Sequence, residues 1–294
     1  MQEANRLSFF GNIVNLFFIV VSVLMIMPIV LLVITSISSE QSILNYGYKF
    51  IPNEISFAAY EHIFKVPGQI LRAYGVTIFV TVVGTLMSLL FTAMLAYVIA
   101  RRDYPFRKST TIFVFFTMMF SGGLVPTYIL ITQYLHLKDS IWVLILPMVL
   151  SPFMVMVLKG FFSKLPFELF ESAEIDGAGE WRIFFQLVLP LSTPALATAA
   201  VIISFQFWND WWLAFLFMDD RSLTPLQLLL IRILNNITFV QEHMQEVGVD
   251  LSVGQLPATA TRMSLTVLVA GPMLIVFPFF QKYFVKGLTL GSLK

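Results

Sequence analysis

The chain has no cysteine, which removes disulfides, thiolate metal sites and cysteine nucleophiles together. Charge is nearly as scarce. Asp, Glu, Lys and Arg make up 12% of the 294 residues against 58% hydrophobic ones, too few to clothe a soluble domain. With a net charge of +1 there is no basic stripe to neutralise phosphates, so no nucleic-acid partner is expected. The three histidines, His62, His136 and His243, are scattered without metal-ligand spacing, and no metal site is expected. The chain lacks a G-x-x-x-x-G-K-[ST] phosphate loop and any clustered set of catalytic side chains. It is therefore expected to bind no cofactor and to be no enzyme. No small-residue cleavage site follows the first apolar run, which reads as a retained span rather than a signal peptide.

What the sequence does have is long apolar runs with almost no charge. A bilayer crossing takes about 20 mostly apolar residues as a helix, and six runs meet or approach that length, at about 12–37, 75–100, 110–134, 140–160, 191–217 and 263–283. The fold class expected is an all-α polytopic membrane protein forming one domain over 1–294. Ser121-Gly122-Gly123 and Pro126 interrupt the third run, which reads as a span followed by a broken or re-entrant piece. Lys and Arg set the orientation. Arg101, Arg102, Arg107 and Lys108 crowd the shortest loop, and placing that loop inside puts both termini in the cytoplasm. Segment 161–190 and the tail 284–294 are then cytoplasmic, and 38–74 and 218–261 are outer loops. Within the second outer loop, Thr224-Pro225 is a helix start, Leu226 to Leu234 continues it, and Asn235-Asn236 is expected to end it.

Segment 171–190 is a polar, acidic island in this apolar chain. Pro166 opens a short helix whose first turns carry Glu168, Glu171 and Glu174, as the helix dipole favours. Asp176-Gly177 is a stop or turn, Trp181 to Val188 a second helical stretch, and Pro190 the entry to the fifth span. The pattern predicts a helix–turn–helix elbow along the membrane surface, with carboxylates suited to a basic groove on a soluble partner.

The island resembles the E-A-A-x3-G-x9-I-x-L-P loop of permease subunits in bacterial binding-protein-dependent ABC importers. Glu171, Ala173, Gly177, Leu189 and Pro190 match with the spacing intact, while Ser172 and Leu187 replace an alanine and an isoleucine. Trp208-Asn209-Asp210-Trp211 resembles the W-N-D segment of carbohydrate-importer permeases. The ending Lys286 to Lys294 resembles the G-L-T-x-G-x-x-K tail of second maltose-permease subunits. Phe120 to Tyr128 resembles a subgroup that imports oligosaccharides, including polyuronide fragments.

The resemblance implies a multi-pass protein of the bacterial inner membrane, immersed in lipid and paired with a second homologous permease. It implies a cytoplasmic ATPase dimer that uses the ATP and Mg, and an extracytoplasmic solute-binding protein. Glu171, Ser172, Ala173, Asp176, Gly177, Leu189 and Pro190 would form the ATPase-coupling elbow. Gly287, Leu288, Thr289, Gly291 and Lys294 would form a tail reaching the ATPases. The substrate implied is an oligosaccharide, with a uronate-containing one included. Trp208 either belongs to an aromatic belt with Trp211 and Trp212 or lines a substrate pathway with Gln206, Asn209 and Asp210. Asn209 and Asp210 alternatively bond helix to helix. The rival readings are a permease for a non-sugar solute and an ion-coupled secondary transporter.

Overall fold

A computed structural model describes residues 2–65, 67–246 and 257–289, with side chains for 11–65, 67–240 and 257–279. Apart from one bridge between Ser38 and Ile55, the described residues form helices joined by turns. Two compact units result: Met1–Pro67 with Leu230–Gly271, and Gly68–Leu229 with Pro272–Lys294.

The first unit contains α1 (Gln2–Ser36), α2 (Glu40–Tyr46) and α3 (Ala58–Ile63). It also holds most of α12 (Leu226–Glu246) and the first half of α13 (Ala258–Thr289). Ser39 caps α2 by accepting the Ser42 N–H at 3.2 Å. Glu40 then reaches across the sequence, its two carboxylate oxygens accepting the N–H groups of Thr259 and Ala260 at 2.9 Å each. Those are orphan donors of a helix start, where a negative charge is favoured. Ser264 donates to the Ser36 carbonyl at 2.9 Å, and Ile43, Ala59 and Ala260 form a small core.

The second unit is built around α4, which runs from Pro67 to Ala100, 34 residues or roughly 50 Å. It continues with α5 (Arg107–Met119), α6 (Leu124–Tyr134, ending in a π turn) and α7 (Pro152–Phe162). The elbow follows as α8 (Glu168–Ile175) and α9 (Glu180–Leu191), then α10 (Thr193–Asn209) and α11 (Trp212–Phe217). Helix α7 packs against both α5 and α10, and its Met154, Val155 and Leu158 are at most 2% exposed.

Three helices are long and apolar enough to cross a membrane, and the number reaches six if each bent pair counts as one span. The bend in the third run falls at the glycines where a break is expected, whereas the break in the fifth departs from the single run expected from the sequence. Between α5 and α6 the axis turns by 108°, where Phe120 is extended and Gly123 has φ +84°, so 110–134 is not one rod. The fourth stretch begins as 3-10 turns, Ile141–Leu144 and Leu146–Met148, and bends by 47° into α7 at Ser151-Pro152. The fifth is α10 followed by α11, broken at Asp210, whose backbone is extended. Conversely, Pro272 and Pro278 lie inside α13 without ending it. Asn235-Asn236 does not end α12 either. Both side chains are exposed, so they face no burial cost, and asparagine costs a helix only a few tenths of a kcal/mol.

Candidate functional site

Helix α8 owes its shape to alternating exposure. Phe170 is buried and Ala173 packs against the core, whereas Glu168, Glu171, Ser172 and Ile175 all point outward. These four sit at i, i+3, i+4 and i+7, one stripe of a helix. Ile175 is 86% exposed. Ser172 donates its hydroxyl to the Glu168 carbonyl one turn back, so the serine that replaces an alanine stays out of the packing.

The helix ends on Gly177. Its φ of +76° places it in the left-handed region, its N–H bonds the Glu174 carbonyl at 3.0 Å, and the Ala178 N–H bonds Ala173 at 2.9 Å. This pair of bonds is the Schellman motif, which requires a residue free of the Cβ penalty. Asp176, the residue before it, is exposed. Helix α9 then starts at Glu180 and contains a π turn, with the Leu189 N–H bonding the Phe184 carbonyl. Pro190, which has no N–H to donate, follows in the last turn. At Ser192 the chain bends by 84° into α10. The Leu189-Pro190 pair therefore marks the corner of an elbow that stands at nearly a right angle to the fifth span.

The anchor of the elbow is a residue that the sequence marked only as a basic charge. Arg101 directly follows the last residue of α4 and is 8% exposed. One guanidinium nitrogen, Nη2, donates to Asp103 at 2.7 Å, to Glu174 of α8 and to Glu180 of α9 at 3.2 Å. The ring of Phe170 lies 5.2 Å from the guanidinium carbon. Tyr97, one turn earlier on α4, donates to the other oxygen of Glu180, and its ring packs against Phe170 and Phe184. Burial alone would lower the Arg101 pKa, but hydrogen bonds to Glu174 and Asp103 outweigh it and hold the pKa above its ordinary value. The three carboxylates approach within 4.8 Å of one another, near enough to grip a cation. Arg101 is the cation between them. Beside the cluster a cavity of about 420 Å³ opens between Met94, Val98, Tyr104, Trp181 and Phe184.

At the other end of the fifth span the structure separates the tryptophans. Trp208 is 5% exposed and so belongs to the interior rather than to a belt. Trp211 and Trp212 are 38% and 45% exposed and form an aromatic cluster with Phe215. Asn209 accepts from Gln227 of α12 at 3.1 Å and donates to Phe205 at 2.9 Å, a helix-to-helix bond. The Asp210 carboxylate faces the backbone N–H groups of Leu213 and Trp212, filling the start of α11. Gln206 is exposed. In the tail, Gly287, Leu288 and Thr289 continue α13 as backbone, whereas Gly291 and Lys294 lie outside the described residues.

Broken apolar helices joined by a right-angled acidic elbow define a class, the helical multi-pass membrane protein. Residues 94–290 match the model of the family described as binding-protein-dependent transport system inner membrane component, and the chain belongs to that family. It is 37% identical to the polygalacturonan/rhamnogalacturonan transport system permease protein YtcP of Bacillus subtilis, over 99% of each chain. It is also 37% identical to protein LplC of the same organism, over 93% of this chain and 91% of LplC. A crystal structure of a bacterial ABC transporter involved in the import of the acidic polysaccharide alginate contains a chain that superposes with a TM-score of 0.80. That chain is 25% identical, and the match covers 94% of this chain and 96% of the other.

Proposed function

We propose that the chain is one of two different permeases that together carry an oligosaccharide into the cytoplasm. ATP and Mg are used by an ATPase dimer docked on α8, and the solute is delivered by a binding protein at the outer loops. Both termini lie in the cytoplasm, as the basic cluster from Arg101 to Lys108 favours. The observation that carries the reading is the outward stripe of α8. A merely solvated acidic loop gives no reason for an isoleucine 86% exposed among Glu168 and Glu171. A partner groove with basic walls and an apolar seat does, because such a side chain anchors an interface while charges guide it. Glu171, Ser172, Ala173, Asp176, Gly177, Leu189 and Pro190 then act as the coupling elbow. Gly287, Leu288, Thr289, Gly291 and Lys294 act as a tail toward the ATPases.

The cargo is proposed to be a uronate-containing oligosaccharide, since similar proteins are named for polygalacturonan and alginate. Gln206, Asn209 and Asp210, next to the exposed faces of Trp211, Trp212 and Phe215, supply hydrogen-bonding groups and stacking surfaces of the kind a sugar uses. Trp208, buried here, joins them only in another packing of the span. An ion-coupled carrier is disfavoured because the chain belongs to a binding-protein-dependent transport family. The test is uptake by liposomes holding both permeases, the ATPase and the binding protein. Accumulation of oligogalacturonides with ATP, and not without it, is expected. Uptake of neutral oligosaccharides alone would overturn the cargo, and uptake without ATP would overturn the whole reading.

A further inference from the structure

The geometry points to Arg101 as a positioning residue that makes the elbow and α4 move as one body, so that a displacement of the elbow reaches the outer end of the protein. This rests on the reading of α8 as the ATPase-coupling helix. Arg101 binds both limbs of the elbow at once, α8 through Glu174 and α9 through Glu180, and adds Asp103 from its own loop. Its burial separates it from a surface ion pair, which contributes little. Its three carboxylate partners are about half exposed, so Arg101 is the buried member, and losing their carboxylates would leave its guanidinium without its partners. The aromatic floor of Phe170, Tyr97 and Phe184 seats the same three elements against each other.

From Arg101 the connection runs along a single helix. Helix α4 has no proline or chain break between Gly68 and Ala100, so it moves as a rod. At Gly84 it meets α10 so closely that a Cβ there would lie 2.7 Å from the ring of Phe207. Phe207 is one turn or less from Trp208, Asn209 and Asp210. At Thr77, two turns further out, the hydroxyl accepts the first N–H of α12 from Leu226 at 2.8 Å. The same α12 holds Asn209 through Gln227. One rod therefore carries the elbow at one end, touches α10 at its middle close to the Trp-Asn-Asp segment, and towards the other end holds the start of α12. Beside Arg101, Tyr97 donates to Glu180 and the Arg102 guanidinium lies 5.8 Å from the ring of Phe167, but Arg101 is the residue that bonds both α8 and α9.

The experiment compares solute transported per ATP hydrolysed in reconstituted complexes matched for subunit content. For Arg101→Gln we expect the ATPase to stay bound and hydrolysis to stay within about twofold, while transport per ATP falls roughly tenfold, within the usual range of coupling factors. Arg101→Lys keeps the charge without the fork and should fall in between. An unchanged ratio in Arg101→Gln overturns the proposal, as does a loss of transport strictly parallel to lost ATPase. If Arg101→Gln fails to assemble, the double variant Glu174→Gln/Glu180→Gln decides, since it keeps the shapes and removes two of the three charges. The same fall in ratio is expected, and an unchanged ratio overturns the proposal. Glu171→Arg separates the two levels of inference. If it leaves the ATPase bound, the coupling-helix reading itself fails, whatever Arg101 does.

Discussion

Gly177 and Arg101 stand at opposite ends of what single residues disclose. Gly177 acts through its own backbone, and its left-handed φ closes the helix whose spacing the sequence already displayed. Gly177→Val forces a Cβ into that conformation at a cost of about 1–2 kcal/mol. It should loosen ATPase retention and lower the melting temperature of the detergent-solubilised complex. Gly177→Asn should do less, because asparagine tolerates this conformation better. Arg101 acts through Asp103 in its own loop and, across the sequence, through Glu174 and Glu180, 73 and 79 residues away. In one sequence it is just the first charge after a long apolar run. Ile175 was legible in principle, being four residues beyond Glu171 and so on its face. An isoleucine in a short helix, however, is expected to turn inward.

At the scale of elements, the number and helical nature of the apolar runs could be read, because length and composition set them. Their bends could be read only in part. Glycines and prolines mark where a helix can break, but packing decides where it does: Gly123 and Pro152 lie at bends, whereas Pro272 and Pro278 are carried within α13. The break at Asp210 has a reason visible only in three dimensions, the backbone N–H groups of α11 that its carboxylate faces. The contact between α4 and α10 is similar. Phe207 is 3% exposed, so its ring cannot swing aside for a larger residue at position 84. Gly84→Ala should destabilise the protein by about 1–3 kcal/mol through overpacking. Combining it with Phe207→Leu should restore part of the loss, and thermal unfolding in detergent measures both. Full stability of Gly84→Ala alone would show that the helices are not in close contact there.

For the molecule as a whole, the chain leaves much apolar surface uncovered. Within Gly11–Ser36 the most apolar stretch has no buried residue, and a helix that is hydrophobic all round needs lipid or another protein around it. Lipid and a second permease are the proposed covering. The acidic stripe of α8 is the opposite case, a polar and charged face with one exposed isoleucine, suited to a partner in water. The central claim is that energy enters through this stripe. Its most direct test is the amount of ATPase retained by the purified permease pair carrying Glu171→Arg, compared with the unmodified pair. Loss of the ATPase from a pair that remains folded and assembled is the result the account predicts, and full retention would contradict it.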